Sequence, residues 1–411
     1  MRFILSIVLT ILAFDVFSND IIYVSGEQES LVIRNIKSNA TYVLGEGFSG
    51  NVQVLNSGSD NTQINIKSEN YVFPSKIVSL VINGSQNIAF EHVIFDYNFN
   101  DDDKIYYRPF RVMSSVGVSI SDSVFDGDLA RNVSDVDDGY GYAVGLSVRG
   151  SSDITITDTS FFDFHVGAVF SSTNNIVFHR NRLERIRMDG LTFAQVSDVE
   201  ITENIIKNFN RSIESSDHAD MIQFWTQRTT EPSKNILIAK NILDSSEGWY
   251  THSIFMRNEL VDTGRADYEM FYRNINIIDN VVINAHIHGI YVGATDGLNI
   301  SNNTVVRNPA SQGVRDNLNL WTPRISVYPE SLNVEIERNM VSSINGFDGQ
   351  LTWTLLDNLI VSDGLRGLDN YSEFFSGDFS SQGLRVFEDF YYKPDSYPVL
   401  NDIGSSLLIS D

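Results

Sequence analysis

The sequence predicts an all-β solenoid, and three observations support that prediction. The segments "GLSVRGSSDITITDTSFFDF", "GAVFSSTNNIVFHRNRLERI" and "GLTFAQVSDVEITENIIKNF" share one plan: a short strand, a polar turn, a second strand, then Asn and two apolar residues. The repeat is about 22 residues long, a period typical of solenoids. Apolar residues alternate with period two inside each strand, and no helical pattern separates the strands, which excludes a βαβ fold.

An asparagine recurs just after the second strand of each repeat. The six occurrences are Asn181, Asn204, Asn241, Asn280, Asn303 and Asn339. Asn tolerates the left-handed backbone of a tight corner and bonds locally to the main chain. When corners stack, such amides can bond to one another as a ladder. We therefore expect a continuous asparagine ladder along one edge of the solenoid.

The repeat resembles the right-handed parallel β-helix over roughly Leu80 to Ile360. Many pectate lyases, alginate lyases, C5-epimerases, polygalacturonases and phage tailspikes have this fold. The resemblance implies an all-β right-handed parallel β-helix with N- and C-terminal capping segments, and a polysaccharide as partner.

The predicted organisation is one domain behind a targeting segment. Residues 1–19 combine one basic residue, an apolar run and a polar break, which is typical of a secretory signal peptide and predicts a secreted or periplasmic protein without a membrane anchor. Residues 20–411 form the β-helix domain. Within it we expect an N-terminal cap over 20–74, coils over 75–362, and a C-terminal cap or strap over 363–411.

Composition narrows the possible partners. The chain has no cysteine, and 53 acidic residues against 29 Lys and Arg give a net charge of −24. An exported protein without disulfides needs a long continuous core. The acidic charge disfavours nucleic acid and anionic membranes. An anionic glycan would require clustered basic residues or a bridging divalent cation.

Equivalent positions of stacked repeats become neighbours about 4.8 Å apart, so the aligned repeats predict columns of side chains. Two columns in the first strand are apolar and form the expected core: Leu146, Ala168, Leu191, Ile222, Ile254 and Ile290, and then Val148, Phe170, Phe193, Phe224, Met256 and Val292. Between and beyond them, outward columns include Gln223, Phe255 and Tyr291, and then Trp225 and Arg257.

Two columns just before the first strand carry most of the titratable chemistry. One contains Val144, Val166, Asp189, Asp220, His252 and His288, and the other contains Arg187, His218, Tyr250 and His286. Strict alternation would direct the Asp189 column inward; we expect the corner before the strand to turn it outward. Inserted loops, "NRSIESS", "QRTTEPS" and "ELVDTGRADYEMF", flank the same turns, and binding sites usually lie on such loops.

This array predicts an enzyme that removes the C5 proton of a uronic-acid polysaccharide such as alginate or pectate, as a lyase or C5-epimerase. The reaction needs a base, an acid and a group that neutralises the carboxylate. We assign catalysis to Tyr250, His218, His252 and Arg257. We assign substrate binding to Arg187, Gln223, Trp225, Asn258, His286, His288 and Tyr291. Asp189 and Asp220 are candidates to hold Ca²⁺ with backbone oxygens, or to orient the histidines.

Two other functions remain open. Asp189 and Asp220 on adjacent turns could act as the paired carboxylates of a glycoside hydrolase, although the chain lacks most of the polygalacturonase motifs. A non-catalytic glycan-binding or tailspike-like adhesin would use Trp225, Phe255 and Tyr291 as stacking surfaces. Within the lyase and epimerase resemblance, the Asp-Pro-His motif of alginate epimerases is absent, and these columns contain no lysine.

Overall fold

The computed structural model describes residues 20–313, 317–365 and 367–410. The predicted signal peptide and residue 411 of the predicted C-terminal segment lie outside these ranges. The described chain winds through 33 strands, and each strand pairs in parallel with its equivalents on the adjoining coils. The result is a parallel β-helix with three sheets, here called A, B and C in the order in which a coil passes through them; the described strands before Lys76 belong to sheets A and B.

The strands of the three sheets are as follows. Sheet A contains Ser30–Arg34, Ser49–Leu55, Lys76–Asn83, Phe110–Met113, Val144–Arg149, the first halves of Val166–His179 and Asp189–Thr202, Ala219–Trp225, Thr251–Met256, His288–Val292, Arg324–Val327 and Ile344–Asn345. Sheet B contains Asp20–Val24, Ala40–Leu44, Ile64–Ser68, Gln86–Glu91, Val116–Ser121, Ser152–Thr157, the second halves of the same two long strands, Lys234–Ala239, Tyr272–Ile278, Thr295–Ser301, Leu332–Glu337 and Trp353–Leu356. Sheet C contains Ile94–Asp96, Val124–Asp126, Ser160–Phe162, Arg182–Glu184, Ile205–Lys207, Ile242–Asp244, Val281–Asn284, Thr304–Arg307, Met340–Val341 and Leu359–Ile360, and Ile94–Asp96 also pairs with the start of Lys76–Asn83.

The core is the space enclosed by the three sheets, and alternation fills it. In Lys234–Ala239, for example, Ile236 and Ile238 are buried while their neighbours are more exposed. Both predicted core columns of sheet A are in the expected register. Their aromatic members stack: the rings of Phe170 and Phe193 are 5.1 Å apart, and those of Phe193 and Phe224 are 4.7 Å apart. Apolar burial along the whole axis replaces the disulfides that the chain lacks.

The predicted asparagine ladder is present at the corner between sheets B and C. Asn241 accepts hydrogen bonds from the backbone N–H and the side-chain amide of Asn204, and it donates to Asn280 at 2.9 Å. The ladder continues beyond the predicted positions to Asn358. The backbone conformation was predicted wrongly, because the left-handed residue is the one before each asparagine, such as Lys240 with φ of 57°.

The coils begin earlier than the sequence predicted. Asp20–Val24 already pairs with Ala40–Leu44, and that strand pairs with Ile64–Ser68. Residues 20–74 therefore form coils rather than the separate N-terminal cap that we expected. Their weaker repeat signal reflects partial exposure of the first strands, since Ile21 and Tyr23 face solvent.

The C-terminal segment packs along the outside of sheet C. Its short helices are Tyr371–Phe374, Phe387–Phe390, Tyr397–Asn401 and Ser406–Leu408. Aromatic residues of this segment cover outward apolar side chains of the late sheet C strands. An ion pair between Arg307 and Asp363, and hydrogen bonds from Ser405 and Ser406 to Asp279, join it to the coils. Among the described residues, no helix has the length and hydropathy needed to cross a bilayer.

The longest insertions border sheet A. Segments 97–109, 127–143, 208–218, 245–250 and 308–323 precede its strands. Segments 226–233 and 257–271 follow two of its strands, and the second contains the helices Glu259–Asp262 and Tyr268–Met270. The helices Pro309–Ser311 and Leu318–Leu320 lie in the segment 308–323. Sheet A is therefore the face of the solenoid with a raised rim on both sides.

The asparagine ladder predicts a large stability effect at its centre. Asn241→Ala would leave two buried donors of Asn204 without an acceptor, and Ile201 would lose the donor to its carbonyl. We expect the free energy of unfolding to fall by roughly 3 kcal/mol, because each orphaned buried polar group costs about 1–3 kcal/mol. Urea unfolding followed by circular dichroism measures this change.

Asn276→Ala is the matched control. Asn276 lies on the outer face of the strand Tyr272–Ile278 and bonds only weakly, at 3.4 Å, to Asn274. We expect its loss to change stability by about 0.5 kcal/mol or less. Equal effects of the two substitutions would contradict a stabilising role for the ladder.

Candidate functional site

The polar columns predicted from the repeats lie at the start of the sheet A strands. Asp189 pairs with Asp220, and Asp220 pairs with His252. The imidazoles of His218, of His252, and of His286 with His288 lie on three successive coils, and we call these four residues the histidine wall. The ring centroids of His218 and His252 are 5.7 Å apart, and those of His252 and His288 are 4.9 Å apart.

Asp220 is the centre of this arrangement. Its side chain is wholly buried. One carboxylate oxygen accepts hydrogen bonds from His218 Nδ1 at 2.9 Å and from Gln223 Nε2 at 2.5 Å, and the other lies 2.5 Å from His252 Nδ1. Burial raises the pKa of Asp220, but the charges and hydrogen bonds of His252 and His218 lower it to about 2. Asp220 is therefore an anion that holds two imidazoles by the same ring nitrogen and directs both Nε2 atoms away from itself.

His218 is the exposed member of the wall, with just over half of its side chain open to solvent. The hydrogen bond that His218 donates to Asp220 is the main cause that raises the pKa of His218 to about 9, and the negative charges of Asp220 and Asp189 add to it. Its imidazole is thus a cation at neutral pH. His252 is largely covered, and its ring lies nearly parallel to that of His218, at 12°.

His286 and His288 continue the wall on the next coil. The backbone N–H of His288 donates to His286 Nδ1 at 3.1 Å, which places the proton of a neutral His286 on Nε2. Burial, followed by the neighbouring His252, lowers the pKa of His288 to about 3, so this ring is neutral. Tyr250 is buried behind the wall, and its ring contacts His286 edge-on at 4.4 Å.

Aromatic side chains border the wall on the sheet A surface. Phe255 lies 4.8 Å from His252 and 5.1 Å from Tyr291, measured between ring centroids. Trp225 is the last residue of the strand that contains Gln223, and its side chain is half-buried. Phe255, Tyr291 and Trp225 provide the apolar, planar surface beside the titratable groups that a sugar ring can pack against.

Arg257, which we assigned to catalysis, and three residues assigned to substrate binding, Gln223, Asn258 and Arg187, have partners within the protein. Gln223 is committed to Asp220, and Arg257 donates to Asp262 at 2.9 Å while remaining half exposed. Asn258 is fully buried, caps the helix Glu259–Asp262 and donates to Met270 O at 2.7 Å. The substrate-binding assignment of Asn258 was therefore wrong, because its position after the strand is needed to start that helix.

Arg187 is also placed differently from the prediction. Its side chain is 1% exposed and lies beneath the rim rather than on the surface. It donates to Asp137 Oδ1 at 2.7 Å and to Asp217 Oδ2 at 3.2 Å. Direct substrate binding by Arg187 is excluded by this burial.

The donor set does not fit the Ca²⁺ site suggested for Asp189 and Asp220. Ca²⁺ takes six to eight oxygen ligands, whereas both oxygens of Asp220 face nitrogen donors. Asp189 is buried, and burial, followed by the charge of Asp220, raises its pKa well above the usual range, which favours a neutral carboxyl. The corner before the strand does not turn this column fully outward, and the two aspartates lie beneath the wall.

Three of the wall histidines lie close enough together to raise the question of a transition-metal site. The ligand atoms of His252, His286 and His288 lie within 4.8 Å of one another. A metal-bound imidazole carries its proton on the nitrogen opposite the metal. In His286, Nδ1 accepts a backbone N–H, so Nε2 holds the proton and is a donor. The three rings therefore fit proton transfer and hydrogen bonding better than metal ligation.

Sequence reasoning missed the residues that adjoin the wall on the side of the earlier coils. Tyr106, on the segment 97–109, packs edge-on against His165 with ring centroids 4.9 Å apart. His165 is fully buried, and burial lowers its pKa to about 4. Asp137 and Asp217 flank Arg187. Tyr106, Asp137 and Asp217 lie on loops outside the repeat, so the columns of aligned repeats could not reveal them.

Comparisons with known proteins agree with the architecture. The family model for a right-handed β-helix region matches residues 79–224. No curated protein sequence matches the chain. The chain is similar to the solved structure of PfbA, a surface adhesin of Streptococcus pneumoniae, at 15% identity over 83% of this chain and 82% of that one, with a TM-score of 0.49.

Two solved enzymes are similar at a comparable level. The periplasmic alginate epimerase AlgG is 12% identical over 84% of this chain and 76% of its own, with a TM-score of 0.38. A lacto-N-biosidase from Eubacterium ramulus is 11% identical over 83% of this chain and 68% of its own, with a TM-score of 0.47. The family match and the unbroken parallel ladders together establish this chain as a right-handed parallel β-helix protein.

Proposed function

We propose that the protein is a secreted polysaccharide lyase that cleaves a uronic-acid polysaccharide by β-elimination, with His252 as base and His218 as acid. The observation that carries the proposal is the sharing of buried Asp220 between these two imidazoles. One carboxylate that binds two rings supports one protonated and one neutral imidazole. Proton removal and proton delivery then occur at neighbouring positions.

In the proposed step, one proton moves from the substrate to His252 and one moves from His218 to the leaving group. His252 Nε2 accepts the C5 proton, the C5–H electron pair forms the C4–C5 double bond, and the C4–O bond breaks. The leaving oxygen takes the proton of His218. The C5 proton is the acidic C–H of a uronate because the adjacent carboxylate stabilises the negative charge that develops. Two groups are candidates to bind that carboxylate: the Nε2–H of His286 and the half-exposed guanidinium of Arg257.

The geometry favours elimination over epimerisation. Epimerisation requires a base and an acid on opposite faces of the sugar, whereas His218 and His252 lie side by side on one wall with nearly parallel rings. A single wall serves a substrate whose C5–H and leaving C4–O lie on the same face. Tyr250 and His252 are buried to a similar degree, and the 2.5 Å approach of His252 Nδ1 to Asp220 supports the choice of His252 over Tyr250 as base.

A glycoside hydrolase is the second candidate. Its supporting observation is that the pKa of Asp189 is raised and that of Asp220 lowered, a pattern typical of paired acid and base carboxyls. Both carboxyls are buried beneath the histidines, however, and a hydrolase needs them to flank the scissile bond. This burial ranks the hydrolase below the lyase.

Substrate assays distinguish the candidates. Incubation with alginate, pectate and glycosaminoglycans should produce the ultraviolet absorbance of unsaturated uronates with one of them. Proton NMR of the same samples would detect epimerised residues. New reducing ends without the absorbance would favour the hydrolase, epimerised residues in uncleaved chains would favour the epimerase, and retained binding without any product would favour an adhesin.

Substitutions at the shared carboxylate test the mechanism. Asp220→Asn should lower kcat by about 100- to 10,000-fold, because His218 and His252 lose the anion that sets their protonation and orientation. His218→Gln and His252→Gln should each have effects in the same range. The matched control is His92→Gln, which breaks a remote surface pair with Asp122, 2.8 Å apart, and should leave kcat unchanged. Full activity of correctly folded Asp220→Asn protein would refute the mechanism.

The pH dependence has a predicted alkaline limit. His218 must be protonated to deliver its proton, and its pKa of about 9 keeps it so through neutral pH. Activity should therefore fall as pH rises through about 9 in the wild type. In Asp220→Asn, whose His218 lacks its main stabilising partner, any residual activity should fall at lower pH. Initial rates across neutral to alkaline pH, on protein verified as folded at each point, measure this limit.

A further inference from the structure

A buried arginine joins two rim loops directly behind the histidine wall. Arg187 lies at the corner before Asp189. Its guanidinium is covered by the segments 127–143 and 208–218. It donates to Asp137 on the first segment and to Asp217 on the second. The ring of Tyr140, also on the first segment, lies 5.8 Å from the guanidinium carbon.

Both aspartates are held by additional contacts. Asp137 Oδ2 accepts a hydrogen bond from Ser134 at 2.7 Å, and the hydrogen bonds from Ser134 and Arg187 outweigh burial and lower the pKa of Asp137. On the other segment, Arg211 donates to the backbone carbonyl of Asp217 at 2.7 Å. Removing one partner from a buried pair of this kind leaves an uncompensated charge, so the bridge is costly to break.

Asp217 is the residue immediately before His218. His218 has more than half of its side chain in solvent, and its described ring contacts are Asp220, His252 and Phe255. An exposed side chain on a loop needs a fixed backbone to keep one orientation. The ion pair between Arg187 and Asp217 provides that anchor at the residue before His218.

We propose that Arg187 is a positioning residue, which ties Asp217 to Asp137 and thereby holds His218 against Asp220. The catalytic meaning of this proposal rests on the proposed function. The positioning of His218 by Arg187 does not depend on that function, because the orientation of His218 can be measured without substrate. The proposal also gives the segment 127–143, which has no wall residue, a role in the site.

Selective ¹⁵N labelling of the seven histidines and NMR titration of the full chain test the proposal. The groups that face His218 are Asp220 on its own strand, Asp189, Arg211 and His252. In Arg187→Met, a released loop would let His218 leave Asp220, and its pKa should fall toward the ordinary value of about 6.5. A purely electrostatic effect has the opposite sign, since Asp217 would be left as an unpaired negative charge beside His218. A fall supports the proposal, and a rise or no change overturns it.

Three further variants complete the design. Arg185→Met is the matched control, because Arg185 lies two residues away and pairs with Asp163 at 2.6 Å on the exposed surface. It should leave the His218 titration unchanged, and a shift equal to that of Arg187→Met would overturn the proposal. Arg187→Lys keeps the charge but cannot bridge two carboxylates in the same way, so an intermediate shift is expected. If Arg187→Met does not fold, Asp137→Asn removes one arm of the bridge, and an unchanged His218 signal in that variant would equally refute the proposal.

Discussion

The structure depends on one constraint, the parallel hydrogen-bonded register that places each coil about 4.8 Å above the last. Because this spacing is fixed, a residue in one repeat meets its equivalent in the next, and chemistry spread over many residues of sequence becomes local. Asp220 and His252 are 32 positions apart in the chain and are direct partners across the ladder. The asparagine ladder maintains this register at the corner between sheets B and C, where each amide satisfies the backbone of the neighbouring coil.

The same constraint explains how a buried carboxylate can exist in the site. An isolated buried anion is strongly unfavourable, but Asp220 accepts hydrogen bonds from His218 and Gln223 on its own coil, and His252 on the next coil places Nδ1 2.5 Å from its other oxygen. Asp189, on the coil before, accepts a long hydrogen bond from Thr192, at 3.4 Å, and one from the backbone of Asp220, but burial and the charge of Asp220 outweigh them. Its carboxyl is consequently favoured in the neutral form. Two equivalent aspartates thus differ because their neighbours differ.

The repeat made the fold and the histidine wall predictable from sequence, because both depend on periodic positions. The core columns, the asparagine ladder and the pairing of Asp189, Asp220 and His252 follow from alignment of the repeats. Loops do not share that periodicity. The sequence therefore could not show that Asp137 reaches Arg187, that Asn258 caps a short helix, or that Tyr106 packs against His165. It also could not show that residues 20–74 are coils, because their outward apolar side chains obscure the alternation.

The net charge of −24 disfavours the anionic substrate that we propose, but this charge is spread over the whole surface and does not describe the site. At neutral pH ionised Asp220 and protonated His218 form a pair without net charge. Its negative end is buried, and its positive end, His218, is the exposed one. The carboxylate of the proposed substrate would therefore meet the cation of His218 directly, with the anion of Asp220 lying behind the imidazole ring. Since the field of a charge falls with distance and with intervening solvent screening, this orientation attracts an anion locally in a protein that is acidic overall. An arginine would supply the same charge but could not give up a proton, and this is the physical reason to expect histidine at this position.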